Sequence, residues 1–308
     1  MPRTYYVIDA FASEPFTGNP AAVVPDAAGL DDREMQRIAA EFNLSETTFI
    51  LPSKVIDARA AASVRFRWFT PTVEVDMCGH ATVAGLHALL ESGRVRREDP
   101  MTSTVVRIET KSGVLTGFIE SIPGQESGVM IWLEMIPPML RPHAWPIESL
   151  ATALRLPVDA FASALPMVQS QDRDVLVFVR DFMVLNDARP DFGRLGELLT
   201  GDGLRGLCLA TVKTVTPSIH VQSRFFAPSC GIDEDPVTGS VHGPLAAYLA
   251  ERGLVPLHND LAGMTCTQGV PGGRTGLVHA LAQRQSDGRY AVRIGGRAIT
   301  TMRGSLLV

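Results

Sequence analysis

Glu46, Cys78, His80 and Asp235 are side chains of types able to move a proton. Their ordinary pKa values run from about 4 to 8.5, and burial or a neighbouring charge can bring any of them toward neutrality, where a general acid or base works best. Close by lie Gly79, Thr82, Thr238, Gly239 and Ser240. The glycines let a ligand approach backbone N–H groups, and the hydroxyls add donors and acceptors at the same points. This inventory suits proton transfer beside a carboxylate or other anion held by backbone N–H groups. Each residue alone also has a plainer explanation. Cys78 reads as a small buried hydrophobe, His80 as a hydrogen-bonded turn residue, Glu46 as a solvated strand end and Asp235, before Pro236, as a turn former.

The elements that would position them follow from hydrophobic spacing. Tyr5 to Phe11 and Ala21 to Val24 read as two strands separated by Gly18-Asn19-Pro20. Met35, Ile38, Ala39 and Phe42 recur at helical spacing after Asp31 and Asp32, and Asn43 ends that helix. Ser45 to Leu51 alternates as a strand, with Glu46, Thr48 and Ile50 on one face. Val64 to Phe69 is a further strand, followed by the Thr70-Pro71 turn and a small-residue helix from about Cys78 to Leu90. Glu46, Cys78 and His80 therefore sit at element ends.

RWFTPTVEVDMCGHAT (67 to 82) can be laid without a gap on RFFAPSCGIDEDPVTG (224 to 239), which places Asp235 opposite Cys78. Two small-residue helices follow, ending near Gly93 and Gly253. A duplicated half of about 150 residues is expected, within the usual domain range. Proline and glycine between Ser121 and Pro146 put the boundary near residue 125, giving domains 1–125, completed by about 300–308, and 126–299. Pro244, a few residues into the second helix, predicts an irregular or kinked start there.

Composition narrows the class. The 308 residues are 45% hydrophobic and 20% charged, an ordinary globular balance. A net charge of -5 lacks the basic footprint of a nucleic-acid binder. Cys78, Cys208, Cys230 and Cys266 form no CxxC pair, which argues against a zinc cage or disulfide scaffold and for a cytoplasmic protein. The opening MPRTYYVIDAF lacks a signal-peptide pattern, and no run reaches the roughly eighteen apolar residues of a membrane span. His80, His87 and Glu74 do not form a His-Glu-x-x-His site, and no glycine-rich nucleotide loop occurs. No metal and no cofactor are expected. A Cys78–His80 hydrolase would need a third orienting group, which is not evident.

Four segments resemble the PhzF-like (phenazine biosynthesis-like) family, which is grouped with diaminopimelate epimerase and proline racemase. They are Phe16 to Val24 (FTGNPAAVV), Asn43 to Phe49 (NLSETTF), Phe69-Thr70-Pro71 through Gly79-His80-Ala81-Thr82, and Glu234 to Ser240 (EDPVTGS). The resemblance implies an α/β (α+β) fold of two pseudo-symmetric epimerase-like domains, each a mostly antiparallel, barrel-like sheet around a central helix, with the active site between them. It implies Glu46 as acid/base, with His80, Asp235 and Ser240 lining the site and Gly79 and Gly239 presenting backbone donors; Asn19 and Thr238 join the substrate-binding set. In the racemases two cysteines flank the substrate; here Cys78 matches the first and Asp235 stands in place of the second.

The expected function is a cofactor-independent isomerase acting on a small carboxylate through Glu46, as a homodimer with neither a membrane nor a nucleic-acid partner. A low-turnover binding or regulatory protein is the alternative from another class, since fold alone does not fix function. Racemisation through Cys78 is a third possibility.

Overall fold

The computed structural model describes residues 2–99, 101–125, 128–269 and 272–308. The chain divides into two compact units, Met1–Glu134 with Ile294–Val308, and Met135–Arg293.

The first unit contains β1 (Arg3–Ala10), β2 (Asn19–Val24), α1 (Asp32–Phe42), β3 (Thr47–Pro52), β4 (Ala62–Phe69), β5 (Glu74–Val75), α2 (Gly79–Glu91), β6 (Thr104–Thr110), β7 (Gly113–Ser121) and β8 (Val129–Met135). Its pairing runs β1–β2 antiparallel, β2–β3 parallel, β3–β4 and β4–β5 antiparallel, β4–β6 parallel, then β6–β7 and β7–β8 antiparallel. The C-terminal strand Ala298–Leu306 returns to pair antiparallel with β1. α1 is a well-specified helix. Asp31 and Glu34 form a reciprocal capping box at its start, and Asn43 takes the left-handed conformation (φ 50°) at its end. Its Met35, Ile38 and Ala39 pack with Val24, Phe49 and Phe69.

α2 is buried almost all round, as its small residues allow. It lies against β1, β2, β3 and β4. Gly85 is needed for that approach, since a Cβ there would sit 2.5 Å from the Phe66 ring.

The second unit contains β9 (Leu140–Pro142), α3 (Ile147–Leu154), β10 (Val168–Ser170), β11 (Asp174–Phe178), α4 (Phe182–Asp187), α5 (Phe192–Gly201), β12 (Gly206–Thr211), β13 (Val221–Ala227), β14 (Ile232–Asp235), α6 (Gly239–Glu251), β15 (Leu261–Gly269), β16 (Thr275–Arg284) and β17 (Tyr290–Gly296). β11–β12 is parallel, β12–β13 and β13–β14 are antiparallel, β13–β15 is parallel and β15–β16 is antiparallel. That order repeats the run from β2 to β7, so the duplication read from the sequence is present in the pairing itself.

The register of the duplication differs from the gapless alignment. Arg67 forms a bidentate pair with Glu74 at 2.7 and 2.8 Å and lies over Phe69; Arg224 does the same with Glu234 at 2.8 and 2.9 Å and lies over Phe226. The first pair is seven residues apart and the second ten. The short 3-10 turn Pro228–Cys230 accommodates the extra residues of the second copy. Gly79 therefore corresponds to Gly239, His80 to Ser240, and the N-cap Cys78 to the N-cap Thr238. Asp235 lies upstream of that cap and is not the counterpart of Cys78.

Two further expectations are corrected. The boundary near residue 125 falls inside a hairpin, because β7 and β8 pair antiparallel with Ser121 opposite Val129; residues 126 and 127 lie outside the described residues, and the crossing comes at Met135. The second small-residue helix is also more regular than Pro244 suggested. α6 runs from Gly239 to Glu251 through Pro244, leaving the carbonyl of Ser240, four residues back, without a helical donor. Among the described residues no helix is long and apolar enough to cross a membrane.

Candidate functional site

Backbone bonds at three element ends gather one cluster in the first unit. After the left-handed Asn43, the chain turns so that the Glu46 carbonyl accepts from Ala22 N–H (3.2 Å), which pins Glu46 beside β2 just before β3 begins. Asn19 begins β2 and is buried. Cys78 caps α2 in extended conformation without a side-chain capping bond, and its carbonyl accepts from both Thr82 N–H (3.0 Å) and Thr82 Oγ1 (2.5 Å). Thr48 Oγ1 donates to the Ala81 carbonyl at 2.9 Å, tying β3 to the first turn of α2. The backbone N–H groups of that turn, beginning with Gly79, have no acceptor within the helix.

His80 stands at the centre. Its Nε2 lies 3.1 Å from Glu46 Oε2 and 3.3 Å from Ser45 Oγ; its Nδ1 lies 3.3 Å from Asn19 Nδ2 and 3.4 Å from Cys78 Sγ. The Glu46 side chain is only 13% exposed, and its Oε2 accepts no well-directed hydrogen bond among the described residues. A buried carboxylate oxygen in that condition is costly unless a ligand or a proton completes it.

Charge explains how the cluster holds its protons. Burial alone would raise the Glu46 carboxyl, but the adjacent His80, with Ser45 and Cys78, brings it below its ordinary value. Burial opposes a charge on His80, yet its contacts with Cys78 and with the Glu46 carboxylate carry its pKa well above the usual imidazole value. The Cys78 thiol is raised, first by burial and then by the Glu46 charge. The resulting state is a Glu46 carboxylate beside a His80 that readily takes a second proton, with Cys78 kept as a thiol.

The second unit holds Asp235, Thr238, Gly239 and Ser240. Thr238 Oγ1 donates to Asp235 Oδ2 at 2.5 Å. The buried Gln268 bridges the same stretch, accepting from Thr238 N–H at 2.9 Å and donating to the Asp235 carbonyl at 2.8 Å. His242 Nδ1 faces the Thr238 carbonyl at 2.9 Å and its Nε2 faces Ser223 Oγ at 3.4 Å. Burial pushes the His242 pKa down to about 4, so the ring is neutral and serves as a donor that holds the α6 cap. Arg205 donates to Ser240 Oγ at 3.1 Å while its guanidinium grips the buried Asp174 carboxylate with two bonds. Because Ser240 Oγ accepts from Arg205, its own proton is left to donate elsewhere.

The sequence-predicted residues thus fall into two sets, Asn19, Glu46, Cys78, Gly79 and His80 in one unit and Asp235, Thr238, Gly239 and Ser240 in the other. His87 and Glu74 do not join His80: His87 faces Glu91 at 3.5 Å, and Glu74 is held by Arg67 and by Lys111 at 2.5 Å. Sequence reasoning missed Gln268, Arg205 and Asp174. Their only local signal is a polar residue within a strand or at its edge, which is not distinctive.

Comparison with known proteins agrees with this architecture. The family model for phenazine biosynthesis-like proteins (PhzC-PhzF) matches residues 8–304. An uncharacterized isomerase of Clostridium acetobutylicum is 34% identical over the whole of both chains. The crystal structure of a Bacillus anthracis phenazine biosynthesis protein of the PhzF family superposes with a TM-score of 0.87 over all of both chains, at 28% identity. A hydroxyproline epimerase from Agrobacterium vitis, solved with bound trans-4-hydroxy-L-proline, shares the fold at 16% identity, with a TM-score of 0.63 over 99% of this chain and 92% of that one. With the motif-bearing segments folded as described, and a family match spanning nearly its whole length, the chain belongs to the phenazine biosynthesis-like (PhzC-PhzF) family.

Proposed function

We propose that the protein is a cofactor-independent isomerase that shifts or inverts a hydrogen at a carbon of a small carboxylate substrate. Glu46 takes the proton and returns it. The observation that carries this reading is the Glu46 carboxylate itself, largely enclosed, ionised beside His80 at 3.1 Å, and with its buried Oε2 unclaimed by a directed hydrogen bond. A general base so placed supplies about 10²- to 10⁴-fold of rate. The N–H groups at the start of α2 or of α6, including those of Gly79 and Gly239, have no acceptor within their own helix and are suited to hold a carboxylate or the enolate formed from it. Asn19, Asp235, Thr238 and Ser240 complete the binding set, and His80 relays the proton or polarises Glu46.

The relatives' names support an isomerase over the low-turnover binding protein. Racemisation by two thiols has less support. Cys78 is a buried thiol with a raised pKa, and Thr238 occupies the matching cap of the second copy. The reading includes a homodimer, as the resemblance implies, in the cytoplasm, as the scattered cysteines suggest.

The test is incubation in D2O with a panel of amino acids, hydroxy acids and unsaturated cyclic carboxylates, followed by NMR. Loss of a carbon-bound proton signal from one class of compound identifies the chemistry. A panel in which compounds bind and none exchanges would overturn the isomerase.

A further inference from the structure

We infer that Glu46, Cys78 and His80 form a site for a borderline-soft divalent metal ion of the zinc class, which acts as an inhibitor of the proton chemistry. Among the described residues, one donor atom from each of the three lies within 4.8 Å of the others. Glu46 Oε2 and His80 Nε2 are 3.1 Å apart, and Cys78 Sγ is 4.0 Å from Nε2. Zinc bonds of about 2.3 Å to sulfur and 2.0 Å to nitrogen or oxygen span donor separations of roughly 3 to 4 Å, so rotation of the Cys78 thiol, whose Sγ now lies 3.4 Å from Nδ1, toward Nε2 closes the set. Three protein donors leave a fourth tetrahedral position for water.

Three features prepare the site. Glu46 Oε2 has a lone pair that no described residue claims with a directed hydrogen bond. His80 is oriented from behind by Asn19 at Nδ1, the arrangement that fixes a metal-binding imidazole; the Asn19 amide turned by half a rotation presents Oδ1 to an Nδ1–H, since the two amide orientations are equivalent in shape. Cys78 is the N-cap of α2, so the helix N-terminus would partly offset the charge of a metal-bound thiolate that burial otherwise opposes. Sulfur and imidazole donors select zinc, cobalt or cadmium over magnesium and calcium. Binding involves no electron transfer. The Cys78 thiol proton, and any proton on His80 Nε2, pass to solvent as the metal bonds form.

The sequence alone did not suggest this site, because Glu46 meets Cys78 and His80 through the packing of the start of β3 on the first turn of α2, some thirty residues on. The inhibitory consequence rests on the proposed role of Glu46, since a coordinated carboxylate cannot accept a proton from carbon. The binding itself does not depend on that role.

The experiment is titration of the full chain, stripped with chelator, with Co²⁺ alone. The expected result is one equivalent bound with a thiolate-to-cobalt charge-transfer band in the near ultraviolet, displaced by Zn²⁺ and unaffected by Mg²⁺. Cys78→Ser loses the band, whereas Cys230→Ser, altering the exposed cysteine, keeps it. Asn19→Ala weakens binding about 10- to 100-fold while the band remains. Absence of saturable binding, or a band that survives in Cys78→Ser, would overturn the site. Should Cys78→Ser fail to fold by circular dichroism, Glu46→Gln decides by the same titration. Unchanged cobalt affinity in that variant contradicts the site, and at least tenfold weakening supports it.

Discussion

Glu46 and His80 meet at 3.1 Å although they enter from different elements, one from the turn before β3 and the other from the first turn of α2. The carboxylate is thereby held ionised in a largely enclosed place while its buried Oε2 takes no directed hydrogen bond. A base needs both properties, and hydration would supply the first only by sacrificing the second.

Cys78 is expected to be dispensable for proton exchange. Its thiol is buried and raised in pKa, so Cys78→Ser should lower the exchange rate by less than the roughly 10²-fold that loss of a general base costs. Parallel rates of deuterium incorporation for the two proteins check this. A loss as large as that of the Glu46 variant would return the two-thiol mechanism to favour.

The Asp174–Arg205 pair should respond asymmetrically to truncation. Asp174 is 1% exposed and the Arg205 side chain 34%. Arg205→Ala leaves a carboxylate with no route to water and should cost about 3 kcal/mol, whereas Asp174→Asn leaves a guanidinium that can be hydrated and should cost less. Urea unfolding of both variants gives the comparison. Arg205→Ala also frees the Ser240 hydroxyl, so a weakened apparent substrate affinity should accompany it.

His242 should make stability depend on pH on the acid side. Its folded-state pKa lies at about 4 against 6.5 for the free side chain, so the unfolded chain takes up the proton first as pH falls. The contribution is intact above about 6.5 and is lost progressively toward about 4, by roughly 3 kcal/mol across that window. His242→Gln should flatten this part of a plot of unfolding free energy against pH. An unchanged slope would show that His242 is not its source.

Gly85→Ala tests how tightly α2 is enclosed. Alanine gains about 1 kcal/mol in helix propensity, but its Cβ would lie 2.5 Å from the buried Phe66 ring, and overpacking of that kind costs about 1 to 3 kcal/mol. Net destabilisation is expected in thermal or urea unfolding, and stabilisation would mean that Phe66 moves aside freely.

Much of this was legible in the sequence where the signal is local. The capping sequence from Asp31 to Glu34, the left-handed Asn43 and the small residues of α2 and α6 each specify their own geometry. The duplication was visible because paired arginines, phenylalanines and prolines recur. Its register was not, because the turn Pro228–Cys230 adds residues to one copy and a gapless match hides them. The domain crossing was misplaced because Pro123 and Gly124 mark a hairpin as readily as a linker. Gln268 and Arg205 escaped notice because hydrogen bonds to Thr238 and Ser240 depend on strand pairing across long sequence separations.

The central claim is that the Glu46 carboxylate moves a proton at carbon. With any compound of the panel that exchanges, the first-order rate of deuterium incorporation should fall by about 10²- to 10⁴-fold in Glu46→Gln, while binding of the same compound is retained. An undiminished rate in a folded Glu46→Gln protein would contradict the account.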